Sequence, residues 1–120
     1  MPDPAQPWPL ELRSVGGGKT LRVSFDEGSS FDLPAEYLRV ESPSAEVRGH
    51  SPSERKLVHG KAQVAIRDIV PTGNYAVRIV FDDGHDTGIY TWTYLMELGR
   101  EQAARWSAHL AELRKAGLSR

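Results

Sequence analysis

The stretch NYAVRIVFDDGHDTGIYTWTYLMEL, residues 74–98, decides the fold. Tyr75, Val77, Ile79 and Phe81 alternate with Ala76, Arg78 and Val80, the period of two that sorts side chains onto opposite faces of a strand. Asp82, Asp83 and Gly84 break the alternation with turn chemistry. A short return segment runs through Gly88 to Tyr90. Thr91 is then placed to cap a helix carrying Trp92, Leu95 and Met96 to Gly99. Much of the aromatic content lies here, with His85 among the polar residues of the turn, so a site is sought here first.

Working outward, the same sequence of events occurs earlier. Leu21, Val23 and Phe25 alternate as a strand, Phe25-Asp26-Glu27-Gly28 turns it, and Phe31 and Leu33 lie on the return. Pro34, suited to the first helical position, opens a helical turn through Ala35, Glu36, Tyr37 and Leu38. The echo of 21–38 in 75–95 is read as shared turn chemistry rather than duplication. Before it, Leu10–Val15 predicts a first strand and Gly16-Gly17-Gly18 its turn. The string GGGKT at 16–20 is not a phosphate loop. That motif needs glycine where Arg13 stands and a helix after the lysine, whereas a strand pattern follows Lys19.

Residues 1–9, with prolines at 2, 4, 7 and 9, predict an extended arm whose Trp8 docks on the body. Residues 40–60 are rich in Ser, Pro and charge and predict a long loop holding His50 and His59. Strand character resumes at Val64 and Ile66, and Pro71-Thr72-Gly73 is the expected turn. Residues 100–116 predict an amphipathic helix with Ala103, Trp106, Leu110 and Leu113 on one side, supported by a Glu101–Arg105 pair and stopped by Gly117. Trp106 is expected as the anchor of that helix, and His109 adjoins the same face.

The predicted fold is therefore α+β: mainly antiparallel β hairpins with short helices and a C-terminal amphipathic helix packed on the sheet. Strands are expected near 10–15, 20–25, 29–33, 62–68 and 74–81, with helices near 34–39, 91–98 and 100–116. Tyr75, Val77, Ile79 and Phe81 should face the core with Leu21, Val23 and Phe25. The organisation expected is a flexible arm (1–9), one domain (10–99) and the C-terminal helix (100–120), since 120 residues hold one core of useful size.

Composition narrows function. Fifteen Lys and Arg against 16 Asp and Glu leave a net charge of −1, without the basic footprint that nucleic-acid binding requires. Cysteine is absent, which excludes disulfides, thiolate metal sites and cysteine nucleophiles. No apolar run reaches the length of a membrane span, and the first residues lack signal-peptide character. The expected address is the cytoplasm, with no nucleic acid and no membrane as partner.

Two stretches carry a resemblance. LPAEYLRVESPSAEVRGH (33–50) and GNYAVRIVFDDGHDTGIYTWTYLMELG (73–99) resemble the gamma-butyrobetaine hydroxylase-like N-terminal domain, long known as a domain of unknown function. The similarity spans nearly all of residues 9–99. Its most specific parts are Leu-Arg-x-x-Ser-Pro-Ser-Ala-Glu, Gly-Asn-Tyr-Ala and Asp-Gly-His-x-x-Gly-Ile-Tyr-x-Trp. The resemblance implies a domain that occurs alone in bacteria, ahead of iron- and 2-oxoglutarate-dependent carnitine-synthesis dioxygenases, and on some ATPases of iron–sulfur carrier type. In the dioxygenases it implies a structural zinc held by three cysteines after the Leu-Arg pair and by the histidine of Asp-Gly-His. Here the cysteine positions fall on Ser42, Ser44 and Val47, and only His85 keeps its type. Serine hydroxyls are poor zinc ligands and valine is none, so that site is degenerate.

A dioxygenase iron site takes two histidines and a carboxylate. The usual His-x-Asp spacing from His85 would need an acid where Thr87 stands, and no facial triad assembles. No catalytic residue is assigned and no enzyme is expected. His85 with Asp83, and His50 as a third donor, is the one metal-binding arrangement the residues offer, for iron or zinc; no cofactor is otherwise expected. Against it stands a reading in which Asp82, Asp83 and Gly84 form a turn and His85 hydrogen-bonds within it. Two functions follow. One is a non-catalytic accessory module that binds a protein partner through Arg39, Arg48, His50, Asp82, Tyr90 and Trp92, since Arg and aromatics anchor interfaces. The other is a metal-binding accessory domain linked to oxygenase or iron–sulfur chemistry. Arg39, Ser42, Ser44, Asp82, Asp83 and His85 are expected to hydrogen-bond across the two loops in place of a metal.

Overall fold

The computed structural model describes residues 7–48 and 56–120. It is an α+β fold of two three-stranded antiparallel sheets, each followed by helices. Strands β1 (Pro9–Val15), β2 (Thr20–Phe25) and β3 (Ser30–Pro34) form the first sheet in that order. Helices α1 (Ala35–Val40) and α2 (Ala45–Arg48) follow. Strands β4 (Ile66–Thr72), β5 (Ala76–Phe81) and β6 (Ile89–Thr91) form the second sheet, and α3 (Trp92–Arg100) and α4 (Gln102–Ala116) complete the chain.

The two halves repeat one design in detail. β1 pairs with β2 and β4 with β5, each with an irregularity after its first residue pair, Pro9↔Phe25 and Ile66↔Phe81. Both turns after the central strand close alike: the Phe25 amide donates to the Ser29 carbonyl at 2.8 Å, and the Phe81 amide donates to the His85 carbonyl at 3.0 Å. Each following helix starts by donating to the turn that precedes the central strand, Ala35 to Lys19 at 2.8 Å and Trp92 to Tyr75 at 3.0 Å. Turn chemistry alone fixes neither the bulge nor this helix entry. The echo in the sequence is a structural repeat of the whole strand–strand–strand–helix unit.

One core joins the halves. Leu21, Val23, Phe25 and Leu33 from the first sheet meet Val77, Ile79, Phe81 and Tyr90 from the second, with Leu38, Leu95 and Leu98 from the helices. Each such aliphatic burial contributes about 1.5–3 kcal/mol relative to exposure. The sheets touch where the Ile66 amide donates to the Gly18 carbonyl at 2.7 Å. A Cβ at Gly18 would lie 2.4 Å from the Ile66 oxygen, and the residue has φ +86°, so glycine is required twice over. The GGGKT turn is thus a hairpin and a sheet junction. Lys19 spends its ammonium on the Gln63 carbonyl at 2.5 Å.

Several expectations need correction. The fourth strand lies at 66–72, not 62–68, because residues 61–64 make a turn closed by Val64 to Lys61 at 3.1 Å. Pro71 belongs to that strand. β4 is an edge, where a missing N–H costs no ladder bond. Tyr75 is 48% exposed, since the turn occupies 73–75 and the core-facing register begins beyond it with Val77, Ile79 and Phe81. Pro34 ends β3 and stands just before α1, with extended ψ 143°, rather than inside it. A four-residue helix, α2, interrupts the expected long loop. Thr91 caps α3 by accepting from the Tyr94 amide, and Gly117 ends α4 at φ 69°, both as the sequence suggests. Trp8 is half-buried and its carbonyl accepts from Asp26 at 2.9 Å. His50 lies outside the described residues, and His59 is exposed.

Candidate functional site

The α1–α2 connection and the β5–β6 connection meet in a polar junction. Arg39 and Ser42 reach it because the short α1 ends at Val40 and delivers the chain there. His85 reaches it as the last residue of the turn that closes from the Phe81 amide to its own carbonyl, where it is 6% exposed. Ser42 Oγ lies 2.8 Å from His85 Nε2, Glu46 Oε2 lies 3.0 Å from His85 Nδ1, and Ser44 Oγ lies 2.6 Å from Thr87 Oγ1. Beside them Asp83 accepts from Arg39 Nε and from Lys61 Nζ, both at 2.8 Å, and from the His85 amide at 3.1 Å. Its side chain is only 16% exposed although the turn backbone lies at the surface.

Electrostatics fix the protonation states. Burial pushes the His85 imidazolium pKa down, helped by the Arg39 cation, while Glu46 and Asp83 push back less. The ring is therefore neutral at neutral pH. A carboxylate only accepts, so Nδ1 carries the hydrogen toward Glu46 and Nε2 accepts from the Ser42 hydroxyl. Ser42 Oγ in turn accepts from the Ser44 amide at 3.3 Å. For Asp83 burial works against ionisation. The hydrogen bonds from Lys61, the His85 amide and Arg39 outweigh it and hold the carboxyl down at about 2.

Space for this network comes from Gly88. A Cβ there would lie 2.5 Å from Ser42 Oγ and 3.1 Å from the Tyr90 ring. At the matching place in the first half stands Phe31, whose ring leaves no room for a Cβ on Gly99, 2.5 Å away. One end of the repeat is thus plugged by an aromatic ring, and the other is opened by glycine and filled by serine and histidine.

The positions that resemblance assigns to zinc behave unequally. Ser42 and His85 touch, Ser44 bonds to Thr87, and Val47 is buried. Both ring nitrogens of His85 are engaged, and among the described residues no group of three His, Cys, Asp or Glu side chains is placed to hold a metal ion. Two hydroxyls, an aliphatic side chain and one imidazole do not fit zinc.

The other candidates scatter. Asp82 faces away from the junction and pairs with Ala65, accepting from its amide at 3.0 Å. Tyr90 is fully buried, its hydroxyl donating to the Leu38 carbonyl at 2.5 Å, so it is core and cannot touch a partner. Trp92 is half-buried and its indole donates to the Asn74 carbonyl at 2.9 Å. Arg48 is exposed, stacks 4.9 Å from the Tyr94 ring centre and bonds to its hydroxyl. Sequence reading missed Glu46, Lys61, Thr87 and Gly88. Two of them left a signal, Glu46 as the last residue of Ser-Pro-Ser-Ala-Glu and Gly88 as the break in the repeat against Phe31.

This fold and junction define a small repeated α+β domain. Residues 13–96 match the family described as gamma-butyrobetaine hydroxylase-like, N-terminal, and the chain belongs to it. A protein of unknown function from Acidithiobacillus ferrooxidans ATCC 23270, assigned to the DUF971 family and solved as a crystal structure at 1.93 Å, is 40% identical with TM-score 0.63. That match covers 76% of this chain and 91% of the other. Two proteins solved by NMR in solution are also similar. One is 45% identical with TM-score 0.83 over 97% of this chain and 91% of that one. The other is 47% identical with TM-score 0.83 over 100% and 89%. No curated protein matches. Among the described residues no helix is long and apolar enough to cross a membrane.

Proposed function

We propose that the chain is a non-catalytic accessory module that binds a protein partner through the surface above the Ser42–His85 junction. The observation that carries this reading is the tie itself: Ser42, in the α1–α2 connection, and Glu46, in α2, hold both nitrogens of a buried His85 in the β5–β6 connection. A neutral imidazole with both nitrogens engaged is a strut, poorly placed to act as base or metal ligand. Such a strut makes two loops one preorganised surface, which lowers the ordering cost of association. Arg48, stacked on Tyr94 at the rim, is the side chain best suited to contact a partner. The near-neutral charge favours a protein over nucleic acid.

The test is affinity capture from a lysate of the source organism with the native chain and with Arg48→Ala as bait. The reading expects a protein retained by the first and depleted at least severalfold with the second. Equal retention by both would remove the surface.

A further inference from the structure

Glu36 takes no part in the junction, yet its side chain is only 8% exposed. It lies in a groove of about 710 Å³ whose walls include Pro34, Tyr37, Gly99, Ala103, Trp106 and Leu110. A carboxylate withdrawn from water needs a counter-charge with good geometry. Arg120 supplies it: Nη2 lies 2.7 Å from Oε1, and Nε lies 3.1 Å from Oε2 and 3.2 Å from Oε1. The same guanidinium sits 5.7 Å from the centre of the Trp106 ring. Carboxylate fork and aromatic face together select a planar guanidinium over an ammonium.

The segment that delivers Arg120 borders this groove through Arg120 alone. It follows the left-handed Gly117 and is tied at Ser119, whose carbonyl accepts from Gly60 at 3.1 Å. A second cleft of about 400 Å³, lined by Leu110, Leu113 and Leu118 among others, opens beside it. The Arg120 side chain is 55% exposed. The guanidinium is seated on a built site while part of the surrounding wall, at Pro34 and Ala103, stays exposed.

We propose that this groove recognises an arginine-bearing peptide segment of a partner protein, and that Arg120 is an occupant in cis which the partner displaces. The volume and apolar lining accommodate a neighbouring side chain of such a segment, which a free guanidinium would not use. This surface is separate from the one above the junction and stands or falls independently of it.

The test uses the full chain with Arg120→Ala and, as probes, the capped tripeptides Leu-Ser-Arg and Leu-Ser-Gln. Amide and indole shifts of Trp106 and its neighbours are followed by NMR. The expected result is saturable binding of the arginine peptide, about tenfold tighter to Arg120→Ala than to the native chain, as for a site open roughly a tenth of the time. Binding should raise the melting temperature of Arg120→Ala, and the glutamine peptide should do neither. No saturable shift at Trp106, or equal binding of both peptides, overturns the site. Equal affinity for native chain and variant overturns Arg120 as its competitor. Adding Glu36→Gln to Arg120→Ala should abolish binding, and retention of binding would overturn the role of the carboxylate.

Discussion

Tyr37 and Tyr94 hold the two halves together by the same bond made in opposite directions. Tyr37, in α1, donates its hydroxyl to the Leu98 carbonyl near the end of α3 at 2.7 Å. Tyr94, at the matching place in α3, donates to the Glu41 carbonyl just past α1 at 2.6 Å. Burial pushes both phenols up, so each remains a donor across the accessible pH range. The two helices thereby satisfy each other's C-terminal carbonyls, groups that a helix cannot satisfy by itself. Tyr37→Phe and Tyr94→Phe should each cost about 1–2 kcal/mol, because each leaves a carbonyl unsatisfied. Urea denaturation of both variants measures this, and a silent Tyr37→Phe would show that the reciprocal bonds do not join the halves.

The repeat explains what the sequence disclosed and what it hid. Alternation made β2 and β5 legible because both carry one apolar face into one core. Val77, Ile79 and Phe81 are buried as the pattern demands, and the pattern fails at Tyr75 only because a turn holds it. Pro71 misled because edge and central strands look alike until pairing order is known. At the junction, His85, Ser42 and Asp83 were visible through the resemblance. Lys61 was not, since long-range partners of charged side chains have no period and no motif, and Glu46, although it closes Ser-Pro-Ser-Ala-Glu, carried nothing that pointed to His85.

Acid should weaken the fold in two stages. The folded His85 pKa lies below its ordinary 6.5, so between the two values the unfolded chain binds more protons and stability rises with pH. Its contribution is therefore full above about 6.5 and is lost as pH falls below that. Asp83 is held down at about 2, against 3.8, so its contribution is present above the higher value and lost toward the lower. Stability followed by urea midpoint should fall from pH 7 to 5 in the native chain. His85→Asn should flatten that first stage and leave the second.

His85→Ala should cost about 1–3 kcal/mol, because it strands the buried Ser42 hydroxyl. Gly88→Ala should cost a similar amount, about 1–3 kcal/mol, by driving a methyl into Ser42 and the Tyr90 ring. A thermal melt of Gly88→Ala that matches the native chain would mean the junction yields easily and is no rigid platform.

Metal chelation tests the loss of the zinc site. The side chains at Ser42, Ser44, Val47 and His85 do not fit zinc, so stability must come from the core and the cross-loop bonds. Adding EDTA should leave the melting temperature unchanged. A large drop, restored by zinc or iron, would contradict this and favour the metal-binding reading.

The surface above the junction carries the proposed function, and affinity for the captured partner tests it directly. Calorimetry would compare the native chain with Arg48→Ala at the rim and Arg114→Ala on the exposed side of α4. The prediction is a loss of about tenfold or more for Arg48→Ala, about 1.4 kcal/mol, with its fold intact, and no change for Arg114→Ala. Unchanged affinity for Arg48→Ala, or a loss confined to Arg114→Ala, would contradict it.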